Sequence, residues 1–243
     1  MNLNVLEAGL ARAQRLKMGF SAVEPIEMPK VYRILGITCV KRPMESQLSG
    51  VFVRSGKAEV VLINSAKSLG HQNFTLAHEL YHALFDHGLE TRACHPGFND
   101  SFVERQADEF ASHLLLPIEG IQHMLHERGR VGRPLQLGDI IYLEQLFGVG
   151  HKAALIQLKK AGLISAETAQ AWEANIREAA KHLGYDEQLY RATGETTLWS
   201  DYAEMASQAL EAGTISFGKY EELLSDAGIL DIEEEDGGSD VVD

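Results

Sequence analysis

The segment Phe74–His82, with the sequence FTLAHELYH, constrains this chain more strongly than any other part of it. Apolar residues recur here at helical spacing, which predicts a helix over Phe74–Asp86 with Asn73 as its N-cap. Residues four apart lie on one face of a helix. We therefore expect His78 and His82 to present two imidazole nitrogens to one metal ion.

Glu79 is next to that face, where its carboxylate can reach a water molecule on the metal ion. Imidazole nitrogen and carboxylate oxygen suit zinc, and helices with this spacing form metalloprotease sites in which the glutamate is the general base. The alternative is an ordinary helix with two surface or core histidines. The amphipathic helix and the strand-like segment before it weigh against that alternative, since such a strand can offer an edge to an extended peptide.

A catalytic zinc ion needs a third protein ligand and an open fourth position. His87 would supply a third histidine after the motif, as in the metzincins. Their spacing requires a glycine where Phe85 stands and a histidine where Gly88 stands, so the pattern fails here. We therefore set His87 aside as a ligand.

Glu104, on the next predicted helix, is the favoured third ligand. Asp108 lies one helical turn later on the same face and could accept a hydrogen bond from a ligand imidazole, as metal-bound histidines usually require. The competing interpretation is a capping box with Ser101, in which Glu104 only satisfies the start of the helix. Given the upstream motif we favour the ligand, with Asp108 and Glu109 as the fallback ligands.

The stretches FTLAHELYHALFDH and ERQADEFASHLLLP together resemble the ImmA/IrrE family of metallopeptidases, which are bacterial and phage proteins with thermolysin-like sites. The resemblance covers roughly residues 1–125 and extends to the strand-like VVLINS before the motif. It implies one zinc ion per chain, bound by His78, His82 and Glu104, and a catalytic Glu79.

Members of that family are associated with cleaving helix-turn-helix repressors and so releasing stress-response or mobile-element genes. The resemblance therefore implies a zinc endopeptidase whose partner is a protein substrate, a DNA-binding repressor. Many members have a basic residue just before the Phe-Thr pair, where this chain has Gln72-Asn73. This departure leaves the contacts with the substrate open.

An α+β fold is expected, with a zincin-like metallopeptidase domain in which a small sheet packs on the helices that carry the motif. Ile37–Val40 is a predicted strand, and Gly50–Val53 and Glu59–Asn64 predict a hairpin. The chain from Gly138 onward is predicted to be helical throughout. The predicted helices are 3–17, Ser101–Leu116, 118–129, Asp139–Phe147, His151–Ala161, Ala166–His182, Trp199–Ala212 and Phe217–Ala227.

Four domains are predicted along the chain. They are the metallopeptidase domain at 1–130, a helix-turn-helix-like segment at 131–165, a helical C-terminal region at 166–230 and an acidic disordered tail at 231–243. The second helix of the helix-turn-helix-like segment offers few side chains for DNA recognition, namely His151, Lys152, Gln157, Lys159 and Lys160. We therefore favour a packing or docking unit over a DNA-binding one.

The sequence assigns no side chain that would stabilise the oxyanion of a tetrahedral intermediate together with the metal. Tyr81 and His113 fall on other faces of their helices. Cys94 and His95, in the predicted loop 88–100, could approach the metal, but we favour ordinary loop residues.

A second functional class remains open at this point. It is a transcriptional regulator or antitoxin-type protein whose zinc site is structural or degenerate, and which acts by binding a repressor or DNA. The intact Glu79 argues against it, because a structural site does not need a general base.

Composition limits the partners and the compartment. The formal net charge of −13 disfavours a nucleic-acid binder, because phosphate contacts need a basic face. Two cysteines are too few for a disulfide framework and fit a reducing cytosol. Residues 1–20 lack a secretory signal, and no apolar run approaches bilayer-spanning length. We expect a cytoplasmic protein with no membrane partner, and a homodimer stays open.

Overall fold

The computed structural model describes residues 3–56, 58–86, 91–94 and 101–226. The tail 231–243 and the candidates His87 and His95 lie outside this described part of the chain. The chain divides into two compact units, residues 1–199 and 200–243, and each is described by itself. The predicted boundaries at 130 and 165 fall inside the first unit and stay predictions.

A five-stranded sheet forms the centre of the first unit, with the strand order β4-β2-β3-β1-β5. The strands are β1 (Thr38–Arg42), β2 (Gly50–Ser55), β3 (Ala58–Asn64), β4 (Thr91–Cys94) and β5 (Thr197–Trp199). β1 and β3 run parallel, and the other neighbours run antiparallel. Ser55 pairs with Ala58, so β2 and β3 form the predicted hairpin, and Gly56 adopts the positive φ that such a tight turn requires.

Helices pack on this sheet, and most of the chain that follows β4 is also helical. In the first unit they are α1 (Leu3–Lys17), α2 (Met28–Leu35), α3 (Leu69–Phe85), α4 (Phe102–Leu115), α5 (Ile118–Glu127), α6 (Leu137–Phe147), α7 (His151–Lys160), α8 (Ala166–Trp172) and α9 (Ile176–His182), with a short 3-10 helix at Gln188–Tyr190. The α+β fold expected from the sequence is confirmed. The prediction of helix throughout from Gly138 was wrong at one point: Thr197–Trp199 forms β5, which pairs with β1, and the helix predicted from Trp199 begins at Tyr202.

Helix α3 lies at the centre of the core. It packs on β2 and β3 on one side and on α4 on another, and α4 in turn packs on α1. Every side chain from Thr75 to Ala83 is buried, so α3 is enclosed on all sides rather than along one face. The buried apolar side chains that α3 and the sheet contribute to the core include Cys39, Phe52, Val61, Ile63, Leu76 and Leu80.

The start of α3 differs from the prediction. The helix begins at Leu69, and its N-cap is Ser68, whose side chain accepts a hydrogen bond from the backbone N–H of His71. Asn73 was the wrong N-cap; its side-chain amide donates instead to the carbonyl of Gly148, at 2.8 Å. Both residue types are good N-caps, and the helix begins five residues before the predicted start at Phe74.

Two further predictions were wrong in detail. Residues 88–100 were predicted as a loop, yet residues 91–94 form β4, which pairs with β2. Ala166–His182 was predicted as one helix. The helix is interrupted between α8 and α9, where Asn175 adopts a left-handed φ of 60°. Asparagine tolerates this conformation better than most residues do, and a continuous apolar periodicity does not reveal such a break.

The second unit contains a pair of helices in its described part, α10 (Tyr202–Glu211) and α11 (Phe217–Asp226). The two helices contact each other, and Ala206 and Leu224 are their buried residues. In the described part of the chain, no helix combines the length and the apolar character that crossing a membrane requires.

A buried ion pair fastens α6 to α7. His151 Nδ1 lies 2.5 Å from Glu144 Oε1, and His151 Nε2 lies 2.7 Å from the carbonyl oxygen of Trp172. Both partners are acceptors, so both ring nitrogens donate and the imidazole is protonated. Burial lowers the pKa of His151, but the hydrogen bond to Glu144 and its charge outweigh burial and raise it above its usual value. The Tyr190 hydroxyl donates to the other Glu144 oxygen, at 2.7 Å.

We expect this pair to stabilise the fold at low pH and to weaken at high pH. Because the pKa of His151 is raised on folding, its contribution is complete below the unfolded value of about 6.5 and is lost as the pH rises through the folded value. His151→Ala should lower the free energy of unfolding by about 3 kcal/mol at pH 6, because it leaves the buried Glu144 carboxylate without its cationic partner, and by less at pH 9. Chemical denaturation of both proteins at the two pH values measures the difference.

The exposed His126, on α5, offers a matched control. His126→Ala should leave the free energy of unfolding within about 0.5 kcal/mol of the wild type. An equal loss for His151→Ala at pH 6 and pH 9 would mean that folding does not raise the pKa of this imidazole.

Candidate metal centre

Helix α3 holds the histidine motif in a fixed position because side chains form hydrogen bonds with the backbone at both ends of the helix. Ser68 caps the start, and the Arg54 guanidinium at the other end donates to the carbonyl oxygens of Ala83 and Asp86, at 2.7 and 3.0 Å. A cation at this end also opposes the negative pole of the helix dipole. Sequence reasoning missed Arg54, because a contact between β2 and the end of α3 leaves no periodic signal.

An aromatic cluster fixes α4 against α3 close to the motif. The ring of Tyr81 lies 5.2 Å from that of Phe85 and 5.6 Å from that of Phe110, and Phe85 and Phe110 are 5.6 Å apart. Tilted and edge-on aromatic pairs at these distances are favourable. Burial raises the pKa of Tyr81 to about 12, so its phenol stays protonated. Tyr81 therefore belongs to the packing between the two helices.

Three predicted ligands converge at this helix pair. His78 Nε2 lies 3.1 Å from Glu104 Oε2 and 3.2 Å from His82 Nε2. His82 Nε2 lies 3.7 Å from the other oxygen of Glu104. All three residues are buried, with 7% or less of their surface exposed. This cluster of three can hold a metal ion.

A carboxylate on the outer side of each imidazole orients the ring. Asp108 Oδ1 lies 2.8 Å from His78 Nδ1, and Asp86 Oδ2 lies 3.4 Å from His82 Nδ1. Each Nδ1–H then donates outward, which leaves both Nε2 lone pairs directed towards the shared position. Sequence reasoning named Asp108 and missed Asp86. The signal for Asp86 was available, since it follows His82 by four residues on the same helix.

The donor set fits a zinc ion. Two imidazole lone pairs and one carboxylate repel one another when they converge, and a cation among them removes the repulsion. A tetrahedral zinc ion at its usual distance of about 2.0–2.1 Å separates two ligand atoms by about 3.3 Å. The nitrogen–nitrogen distance of 3.2 Å between His78 and His82 matches that separation.

Glu104 takes part in both of the arrangements that the sequence left open. Its backbone N–H donates to the Ser101 hydroxyl, at 3.3 Å, which is one half of a capping box. Its carboxylate lies between the two imidazoles. The cap therefore fixes where α4 begins, and the side chain remains available as a ligand.

The remaining candidates occupy other positions. Glu109, a fallback ligand, forms an ion pair with Lys160 of α7. His113 accepts a hydrogen bond at Nδ1 from the Gln157 amide, at 3.2 Å, and burial lowers its pKa. For Cys94 only the backbone is described; it ends β4 and pairs with Gly50.

Glu79 is fully buried and faces the sheet. A side-chain carbon built on Gly50, the first residue of β2, would lie 2.8 Å from its Oε1 atom. The carboxylate predicted as the general base therefore lies between α3, which carries it, and the start of β2.

Comparison with known proteins agrees with this geometry. The model of the IrrE N-terminal-like domain, a peptidase family, matches residues 33–159, which is 127 of the 243 residues. The chain belongs to this family. The resemblance to ImmA/IrrE proteins drawn from the sequence is thereby confirmed. The matched part of this IrrE-like chain includes His78, Glu79, His82 and Glu104, and it continues to the last turn of α7. No curated protein matches the chain significantly.

We expect the two outer carboxylates to contribute to metal affinity without being ligands. Asp86→Asn and Asp108→Asn each replace a charged acceptor with a neutral amide, which weakens the imidazole as a donor to zinc. Each should raise the dissociation constant for zinc about 10- to 100-fold, and the stoichiometry at saturating metal should stay at one. Competition with a chromophoric chelator measures both quantities.

Glu109→Gln is the matched control on α4, because this carboxylate pairs with Lys160 rather than with an imidazole. It should leave the zinc affinity unchanged. Wild-type affinity in both aspartate variants would mean that the imidazoles are oriented without these carboxylates.

Proposed function

We propose that this IrrE-like chain is a zinc-dependent endopeptidase, with His78, His82 and Glu104 as the zinc ligands and Glu79 as the general base. The observation that carries the proposal is the convergence of two imidazoles and one carboxylate at a single buried position, beside a buried glutamate that no structural zinc site needs. Membership of a peptidase family supports the same conclusion.

Each residue of the site has its own role in the proposed hydrolysis. A zinc ion bound here would polarise the scissile carbonyl and lower the pKa of a coordinated water towards ~7. Glu79 accepts the proton of the attacking water on its carboxylate and later delivers it to the leaving amine. Asp86 and Asp108 hold the imidazoles in the tautomer that exposes Nε2.

Glu79→Gln tests the proposal because it removes the base and keeps the size and shape of the side chain. We expect the variant to bind one zinc ion per chain and to lose cleavage by about 100- to 10,000-fold in kcat. Elemental analysis measures the zinc, and mass spectrometry of a fluorescence-quenched peptide library measures the cleavage. Wild-type biological activity in this variant would favour the alternative, a regulator that acts by binding alone.

The proposed substrate is a regulatory protein, specifically a DNA-binding repressor, as the resemblance implies. Direct DNA binding by this chain is not part of the proposal. Of the five side chains on α7 that could read DNA, His151 and Gln157 are buried and Lys160 pairs with Glu109. Lys152 and Lys159 are thus the two α7 candidates left for phosphate contacts, which is few for a DNA-binding helix. Affinity capture with the Glu79→Gln protein would identify the substrate.

A further inference from the structure

Gly50 occupies a position where a side chain would collide with the proposed general base. It is buried at the start of β2 and pairs with Ile63 of β3. A methyl group there would lie 2.8 Å from Glu79 Oε1, 2.7 Å from Thr75 Cγ2 and 3.3 Å from Ile63 Cδ1. The first two distances are far too short for van der Waals contact, so one of the groups would have to move, and the third is tighter than an ordinary contact.

The conformation of the backbone does not explain this glycine. Gly50 does not adopt a positive φ, unlike Gly56 in the hairpin turn, so an alanine could take its backbone angles. The space in front of the Cα atom is therefore the property that requires glycine at this position.

The backbone at Gly50 cannot easily retreat from α3. The carbonyl oxygen of Ser49 accepts a hydrogen bond from the Asn64 N–H, at 2.9 Å, and the Ser49 hydroxyl lies 2.7 Å from His71 Nε2 on α3. The buried Asn64 amide also donates to the carbonyl oxygens of Leu48 and Met44, at 2.9 and 3.2 Å. The segment before β2 is thus fastened to both β3 and α3.

The Thr75 side chain also cannot easily move away from a methyl group at position 50. It is buried on α3, its hydroxyl donates to the His71 carbonyl at 2.9 Å, and its β-branched side chain has few rotamers in a helix. The Glu79 side chain has more rotatable bonds than that of Thr75, so an added methyl group at position 50 would displace the carboxylate first.

We propose that Gly50 is a positioning residue for Glu79, because its missing side chain provides the space in which the carboxylate is held. This inference rests on the proposed function, in which Glu79 is the general base. Gly50 has no side chain and is not itself proposed to take part in the reaction. It acts by fixing where the base stands relative to the zinc ligands of the same helix.

In the zinc-loaded enzyme, Gly50→Ala should lower kcat about 100-fold, since a displacement of about 1 Å is enough for such a loss. KM should change less than about threefold, and the zinc stoichiometry and the visible spectrum of the cobalt-substituted protein should not change, because the ligands stay in place. The probe is a quenched peptide that the wild type is found to cleave. Wild-type kcat in the variant would overturn the inference.

A second measurement uses the metal-free protein and does not depend on any peptidase activity. Gly50→Ala should lower the melting temperature by about 5 °C through overpacking. In a Glu79→Ala background the same substitution should cost less than half as much, because the carboxylate is gone. In a Thr75→Ser background, which removes the Thr75 methyl group, most of the cost should persist.

The reverse pattern, with the cost unchanged in Glu79→Ala and absent in Thr75→Ser, would overturn the inference while leaving the proposed function intact. If Gly50→Ala does not fold but the double variant with Glu79→Ala does, the inference is supported; if neither folds, it is overturned. Gly9→Ala on α1 is the matched control, since a methyl group there meets no atom within 4 Å, and it should alter neither kcat nor the metal content. Failure of the wild type to cleave any peptide would count against the proposed function alone.

Discussion

Two imidazole nitrogens and a carboxylate converge at one buried position in this protein. The electrostatic interaction among them constrains the structure around that position. His78, His82 and Glu104 would repel one another there without a positive charge. Low local dielectric strengthens both the repulsion and the attraction to a cation. The surrounding structure therefore has to hold three side chains together at a position that favours a positive charge.

The protein does so by making α3 rigid. The helix is enclosed from Thr75 to Ala83, capped by Ser68 and closed at its C-terminal end by Arg54. Outer carboxylates orient the two imidazoles, and an aromatic cluster with Phe110 holds α4 at the distance that Glu104 needs. A binding site on packed helices retains its geometry better than one on loops, because its rotamers are locked by neighbours.

The helix-turn-helix-like segment is part of this same support. The turn between α6 and α7 approaches α3 so closely that a side-chain carbon on Gly70 would lie 2.7 Å from the Gly150 backbone. Asn73 of α3 donates to Gly148 in that turn. The match to the IrrE N-terminal-like domain also continues through most of α7. The turn of the segment thus packs on α3, which suits a packing unit better than a free DNA-reading one.

The sequence by itself determined what is local. Helical spacing places His78 and His82 on one face, and the same rule links Glu104 to Asp108, because the geometry of an α-helix is fixed whatever surrounds it. The two motif blocks were enough to identify the family. Only the tertiary structure decided that Glu104 comes to the histidines 26 and 22 residues before it, and that Gly50 lies against the Glu79 carboxylate. These contacts join elements whose separation along the chain carries no periodic signal, so they depend on how the helices and the sheet pack.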